Sequence, residues 1–211
     1  MLTNINGGNP PMVSLTDRQK QIIDVSVEII AEMGIQQLTI KNISNRLGIS
    51  EPAIYRHFEN KMDILLAILA NFKKAAGDSM HPLQDVKGSA VQKMKMLFES
   101  HFETFTASPA LAAVIFSEEI FQNDKRLSEG VFEIMNMHMK KMSDLVREGQ
   151  QSGEIRKDIP DRQLSLIITG SLRLIVTKWR LSDFSFDLQA EGLLLWNSIH
   201  KLIINSFKVY P

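Results

Sequence analysis

With 211 residues, 44% of them hydrophobic and 23% charged, the chain is long enough for one large or two small domains around a real core. Net charge is zero and cysteine is absent, which excludes disulfides, zinc fingers and thiol chemistry and makes the cytoplasm the expected location. No apolar run approaches the ~20 residues of a bilayer span, so no membrane partner is expected.

Residues 1–14, MLTNINGGNPPMVS, have the Asn, Gly and Pro content of a flexible arm and lack the basic-then-apolar order of a secretory signal. Helical periodicity begins near Thr16 and runs to Met33, with Ile22, Ile23, Val25, Ile29 and Ile30 on the apolar side and Gly34 as the stop. The stretch Thr39–Lys61 then reads as two short helices around a tight turn. Thr39 is a good N-cap, Ile40, Ile43 and Leu47 form an apolar face, and Gly48 sits where a left-handed residue must end the helix. Ser50 is a second N-cap, followed by Pro52 in the first turn, Ile54 and Phe58 toward the core, and Glu51, Ala53, Tyr55, Arg56 and His57 outward. This is the helix-turn-helix design, whose second helix docks in the DNA major groove. Its charge is modest: Lys41, Arg46, Arg56 and Lys61 against Glu51 and Glu59.

A fourth helix is expected from about Asn60 to Ala76, then a break at Gly77–Gly88 containing His81-Pro82. A fifth helix carries Phe98, Phe102 and Phe105, and Ser108-Pro109 stops or bends it. A short sixth includes Leu111, Val114, Ile115 and Ile120. The seventh runs from about Lys125 to Gln151, an eighth starts at Asp158-Ile159-Pro160-Asp161 and runs to about Leu181, and a ninth runs from Asp187 to about Phe207. The fold class is therefore all-α: an N-terminal three-helix helix-turn-helix domain and a C-terminal helical ligand-binding and dimerisation domain, about nine helices in all. The expected boundaries are an arm at 1–14, a DNA-binding domain at 15–60 and a body at 61–211, with the linking helix at 61–76.

The run Tyr55-Arg56-His57-Phe58-Glu59-Asn60-Lys61, after Thr39 and Gly48-Ile49-Ser50, resembles the DNA-binding domain of TetR-type (TetR/AcrR) bacterial transcriptional regulators. The resemblance covers residues 15–70 and, beyond them, the helical architecture alone. It implies phosphate contacts by Thr39, Tyr55, His57 and Lys61, the donors that docking logic also selects. Ser50 faces the groove and contacts backbone or base. Base reading falls to Arg56 on guanine, Glu51 on cytosine and Ala53 near a thymine methyl.

A helix-turn-helix head of this type requires a symmetric mate on palindromic double-stranded DNA, so a homodimer is expected. The apolar eighth and ninth helices are the interface candidates, through Ile168, Leu172, Ile175, Leu195, Trp196, Ile199, Leu202 and Ile203. The middle helices offer an effector pocket among Phe98, His101, Phe102, Phe105, Phe116, Phe121, Met135, His138, Met139 and Trp179. A largely apolar or aromatic small molecule, of acyl-chain type as one candidate, would fit it. No cofactor and no metal is expected: the methionines of the seventh helix lack cysteine support.

The reading is a ligand-responsive repressor. The alternative is a DNA-bound architectural or protein-recruiting factor of the same fold with no effector, distinguished by a closed body core. An enzyme is not expected, because the chain has no inward Glu-x-x-His pairs, phosphate-binding glycine loop or G-x-S-x-G elbow.

Overall fold

Short polar side chains start most of the helices. The Thr16 hydroxyl accepts from the Gln19 N–H while the Gln19 side chain returns to the Thr16 N–H, and Ser89 and Gln92 repeat this reciprocal cap. Asp124 and Asp187 cap two more through their carboxylates. The computed structural model describes residues 15–80, 88–116 and 124–204. Among these residues there are nine α-helices and no strand: α1 Asp17–Met33, α2 Ile40–Leu47, α3 Glu51–Tyr55, α4 Lys61–Met80, α5 Ala90–Ala107, α6 Pro109–Ile115, α7 Lys125–Ser152, α8 Asp161–Leu181 and α9 Leu188–Ile203. The expected all-α class, with a helix-turn-helix head and a helical body, is the fold observed.

In the head, α1 packs on α2 and α4 through Ile22, Ile23, Ile29 and Ile30, all buried. The same helix lies on α6, and α4 lies on α7, so a continuous core runs from Ile22 to Ile203. The body is built on α7, which packs against α8 on one side and α5 on another; α9 closes over α5. An Arg147–Asp161 ion pair at one end of the α7–α8 contact and an Arg173–Met135 contact at the other show that these two helices run antiparallel.

Three element ends differ from expectation. Helix α4 passes through Gly77 to Met80 instead of stopping near Ala76. One interior glycine costs a helix only about 1 kcal/mol, which tertiary packing readily overrides. Helix α3 ends at Tyr55, so Arg56 is its C-cap and His57 lies in the following turn, not on the helix. Helix α9 ends at Ile203 rather than Phe207, where extended Ile204 forms a bridge with Ile155 and the Arg156 N–H donates to the Ile203 carbonyl at 2.9 Å. The expectations for the 1–14 arm, His81-Pro82, Ile120, Phe121 and Phe207 lie outside the described residues.

Candidate functional site

The turn between α2 and α3 is fixed by Gly48. Its φ of 66° and ψ of 32° are left-handed, and the amides of Gly48 and Ile49 return to the Asn45 and Ser44 carbonyls. Ile43, Ile54 and Phe58 are buried beneath the turn and hold α3 at a set angle to α2. The opposite side of α3 is open. Ser50, Glu51, Tyr55 and Arg56 are exposed, and Ala53 and His57 are half-buried.

The Thr39 hydroxyl accepts from the Asn42 N–H at 3.1 Å, which leaves its own O–H free to donate outward. Ser50 is at the N-cap position, but its side chain makes no capping bond, contrary to the simple capping role expected of it. Lys61 opens α4. The neighbouring N–H groups are not all vacant, since Asn60 Oδ1 accepts from Met62 at 2.8 Å and from Asp63 at 3.1 Å.

Arg46 needs a correction as a phosphate-facing cation. Its guanidinium makes paired bonds to Glu32 of α1, at 3.1 and 2.6 Å, with Glu28 at 3.9 Å. The bond to Glu32 raises the arginine's pKa and lowers the glutamate's, so each charge neutralises the other. Lys41, Arg56 and Lys61 have no ion pair among the described residues, and neither have Glu51 and Glu59. The excess of unpaired positive charge on this face is thus smaller than the sequence count.

The body contains a cavity of about 190 Å³, more than ten times the room one water needs. Its walls are Phe72 of α4, Leu97, Phe98, His101 and Phe105 of α5, and Ile115 and Phe116 at the end of α6. Helix α7 adds Ile134, Met135, His138, Met139 and Met142, and α8 adds Leu166, Thr169, Gly170, Leu172 and Arg173. Of these lining residues Met135, Leu166 and Gly170 are exposed at the surface. Arg173 is the charged residue of this wall among the described residues. Its guanidinium lies 5.3 Å from the centre of the Phe116 ring, and its Nη1 is 3.6 Å from the Met135 sulfur.

Two histidines are linked inside. His101 Nδ1 lies 2.5 Å from the Leu97 carbonyl, and its Nε2 meets His138 Nδ1 in a short hydrogen bond. His138 Nε2 is buried with no partner. Burial lowers the pKa of both rings; for His138, burial first and then the neighbouring His101 push it down to about 3. Burial thus favours the neutral imidazole in both.

Seven of the expected pocket residues thus meet at one cavity: Phe98, His101, Phe105, Phe116, Met135, His138 and Met139. Two do not. Phe102 is turned away into the α5–α9 contact, packed edge-on against Phe98 at 5.0 Å and fitted over Gly192. Trp179 packs on Phe184 at 4.6 Å beyond the end of the cavity. The α8 wall, Arg173 above all, was missed. The signal available was a lone cation within the apolar run from Ile167 to Val176.

The dimer expectation also needs correction. Ile168, Trp196, Ile199 and Ile203 are buried within the subunit and cannot meet a second chain, and Leu172 faces the cavity. Ile175 and Leu195 are half-buried and Leu202 is exposed. The large apolar side chains that α8 and α9 do leave exposed are Leu166, Ile167, Leu174, Leu181, Leu193, Leu194 and Leu202. Both helices are apolar around more than one stripe, and the inner stripe takes Ile168, Trp196, Ile199 and Ile203.

The model of the bacterial regulatory proteins of the tetR family matches residues 22–68, and that of the YsiA-like protein C-terminal region matches residues 72–206. The chain belongs to the TetR family of bacterial transcriptional regulators. This TetR-family chain is 30% identical over 188 residues to a fatty acid metabolism regulator protein of Bacillus subtilis, covering 88% of this chain and 93% of that one. It is 21% identical over 196 residues to a probable acrEF/envCD operon repressor of Escherichia coli, covering 88% and 86%. Among solved structures it is similar to the fatty acid degradation regulator FadR of Bacillus halodurans, with TM-score 0.76, 26% identity and 93% and 99% of the two chains covered. FadR of Bacillus subtilis in complex with stearoyl-CoA gives TM-score 0.70 at 28% identity, covering 89% and 98%. As a TetR-family member the chain is a DNA-binding transcriptional regulator, a class that is not normally enzymatic. No helix among its described residues is long and apolar enough to cross a membrane.

Proposed function

We propose that this regulator is a homodimeric repressor of a palindromic operator and is released by a ligand of the long-chain acyl thioester class. The observation that carries the reading is the cavity itself: an almost wholly apolar chamber between α4 and α8 with one arginine in its wall. An acyl chain fits the Phe and Met lining, and Arg173 supplies a cation for an anionic head group at the opening. Relatives named for fatty acid metabolism, one of them solved with stearoyl-CoA, support the same ligand class. An open chamber also favours a sensor over the architectural alternative, which needs no cavity.

DNA docking rests on the exposed side of α3. Tyr55, His57, Lys61 and Thr39 hold phosphates, and Ser50, Glu51, Ala53 and Arg56 lie toward base edges. Two heads about 34–36 Å apart span successive major grooves. The exposed apolar stripe of α8 and α9 provides the two-fold contact.

The route from cavity to DNA runs through α7. The helix that carries Met135, His138 and Met139 also carries Arg126, 3.1 Å from Asp63, and Glu133, 2.7 Å from Lys73. Both partners are on α4, the helix that begins with Lys61 and contributes Phe72 to the cavity. A ligand that moves α7 relative to α4 therefore moves the first turn of α4 and the spacing of the heads. A hundredfold loss of operator affinity corresponds to about 2.7 kcal/mol of coupling.

The test is operator binding by fluorescence anisotropy, using sites selected from random DNA, with stearoyl-CoA, octanoyl-CoA and free coenzyme A. Release of DNA by an acyl thioester and not by free coenzyme A is the expected result. Unchanged affinity at saturating concentrations of both acyl thioesters would falsify the effector class.

A further inference from the structure

The two cavity histidines specify what kind of polar group the ligand carries. This argument rests on the cavity being the effector site. A carbonyl oxygen can only accept, so His101 Nδ1, held against the Leu97 carbonyl, bears that ring's proton. In the neutral ring, His101 Nε2 is then a bare acceptor. The nitrogen facing it, His138 Nδ1, must donate. That places the proton of neutral His138 on Nδ1 and leaves its Nε2 as a lone pair, buried and without a partner among the described residues. The relay Leu97–His101–His138 thus sets the tautomer of a ring in the cavity wall.

A buried acceptor left open is destabilising unless something donates to it. The ring stands on α7 between Met135 and Met142, whose flexible side chains can yield to admit a ligand group. It lies three residues from Met135, which touches Arg173; at 1.5 Å per residue that is roughly 5 Å, or one helical turn, further along the cavity.

We propose that His138 Nε2 is the specificity-determining acceptor of this cavity, and that the ligand presents to it an O–H or N–H donor about one helical turn from the group held at Arg173. A chain hydroxyl and an amide N–H near the head group share this chemistry. A carboxylate or a bare ester offers only lone pairs there and is disfavoured. The burial that keeps both imidazoles neutral acts in the same sense, because it withholds the second proton that would turn Nε2 into a donor.

The experiment measures direct binding to the full chain by calorimetry, with three uncharged probes of equal chain length: 1-tetradecanol, N-methyltetradecanamide and tetradecyl methyl ether. The ether retains the acceptor and loses the donor. The alcohol, the amide or both should bind about tenfold more tightly than the ether, and which of them does so identifies the source of the donor. His138→Leu should abolish that preference, and His138→Gln, whose amide oxygen accepts, should restore part of it. His101→Leu, which frees the His138 tautomer, should reduce it. The nitrogen-15 spectrum of the free protein should show His138 protonated at Nδ1 and bare at Nε2. Equal binding of all three probes by the unmodified chain would overturn this inference and leave the cavity reading intact. Binding of none would overturn both.

Discussion

A few side chains decide what each surface can do. Among the described residues Tyr55 and Lys61 have no ion pair and no place in the buried core of the head, so replacing either by alanine should leave the fold intact. Affinity should fall for operator and non-operator DNA alike, and the Lys61 change should shallow the salt slope by about one counterion; anisotropy titrations from 50 to 300 mM salt check this. Arg56→Ala should instead relax preference at one base pair per half-site, visible by repeating the site selection. Inside the body, the histidine pair makes stability depend on pH. In the unfolded chain the rings take up protons below about 6.5, whereas folded His138 stays neutral down to about 3. Its contribution is therefore complete above 6.5 and lost as pH falls toward 3, at a slope approaching about 1.4 kcal/mol per pH unit. The melting temperature should drop between pH 7 and 5, and His138→Met should flatten that drop. The lowered carboxylates, Glu32, Asp124, Asp158 and Asp161, have ordinary values of 4.5 and 3.8, so their contributions are lost at lower pH than the interval from 7 to 5.

At the level of helices, the contact between α5 and α9 depends on a missing side chain. A methyl group at Gly192 would overlap the ring of Phe102, which is buried and already packed against Phe98. Gly192→Ala should destabilise the body by about 1–3 kcal/mol, measured by urea unfolding, with the head's DNA contacts unaltered in the folded fraction. Gly48 is the comparable point in the head. Its neighbours leave room for a methyl group, so a substitution there acts through the left-handed backbone alone. Some helix starts were legible because capping is local: Thr39 caps α2 as its spacing predicts, and α9 opens on Asp187. The end of α4 was not, because Gly77 breaks a helix only when nothing else supports it.

For the molecule as a whole, the question is which surface meets the second subunit. Trp196 is 2% exposed and touches Phe98 at 5.4 Å, so an acid there would unfold the body rather than split a dimer. Leu174, 70% exposed on the outer stripe of α8, is the appropriate site. Leu174→Asp should yield a folded monomer by sedimentation and lose most operator affinity, since two linked heads bind far more tightly than one. If the variant remained dimeric with unchanged affinity, the two-fold contact would lie elsewhere. Helix α8 is apolar on both sides, and periodicity alone does not say which of the two faces the subunit buries.

The amino-acid order by itself determined the helices, the Thr39 cap, the left-handed turn at Gly48 and the exposure of Glu51, Tyr55 and Arg56, because each follows from contacts within a few residues along the chain. Only the tertiary structure decided which apolar face turned inward, that Phe102 and Trp179 left the cavity while Arg173 joined it, and that Arg46 pairs with Glu32. Those outcomes depend on residues far apart in sequence competing for the same space and the same charge, and helical spacing alone does not rank such partners.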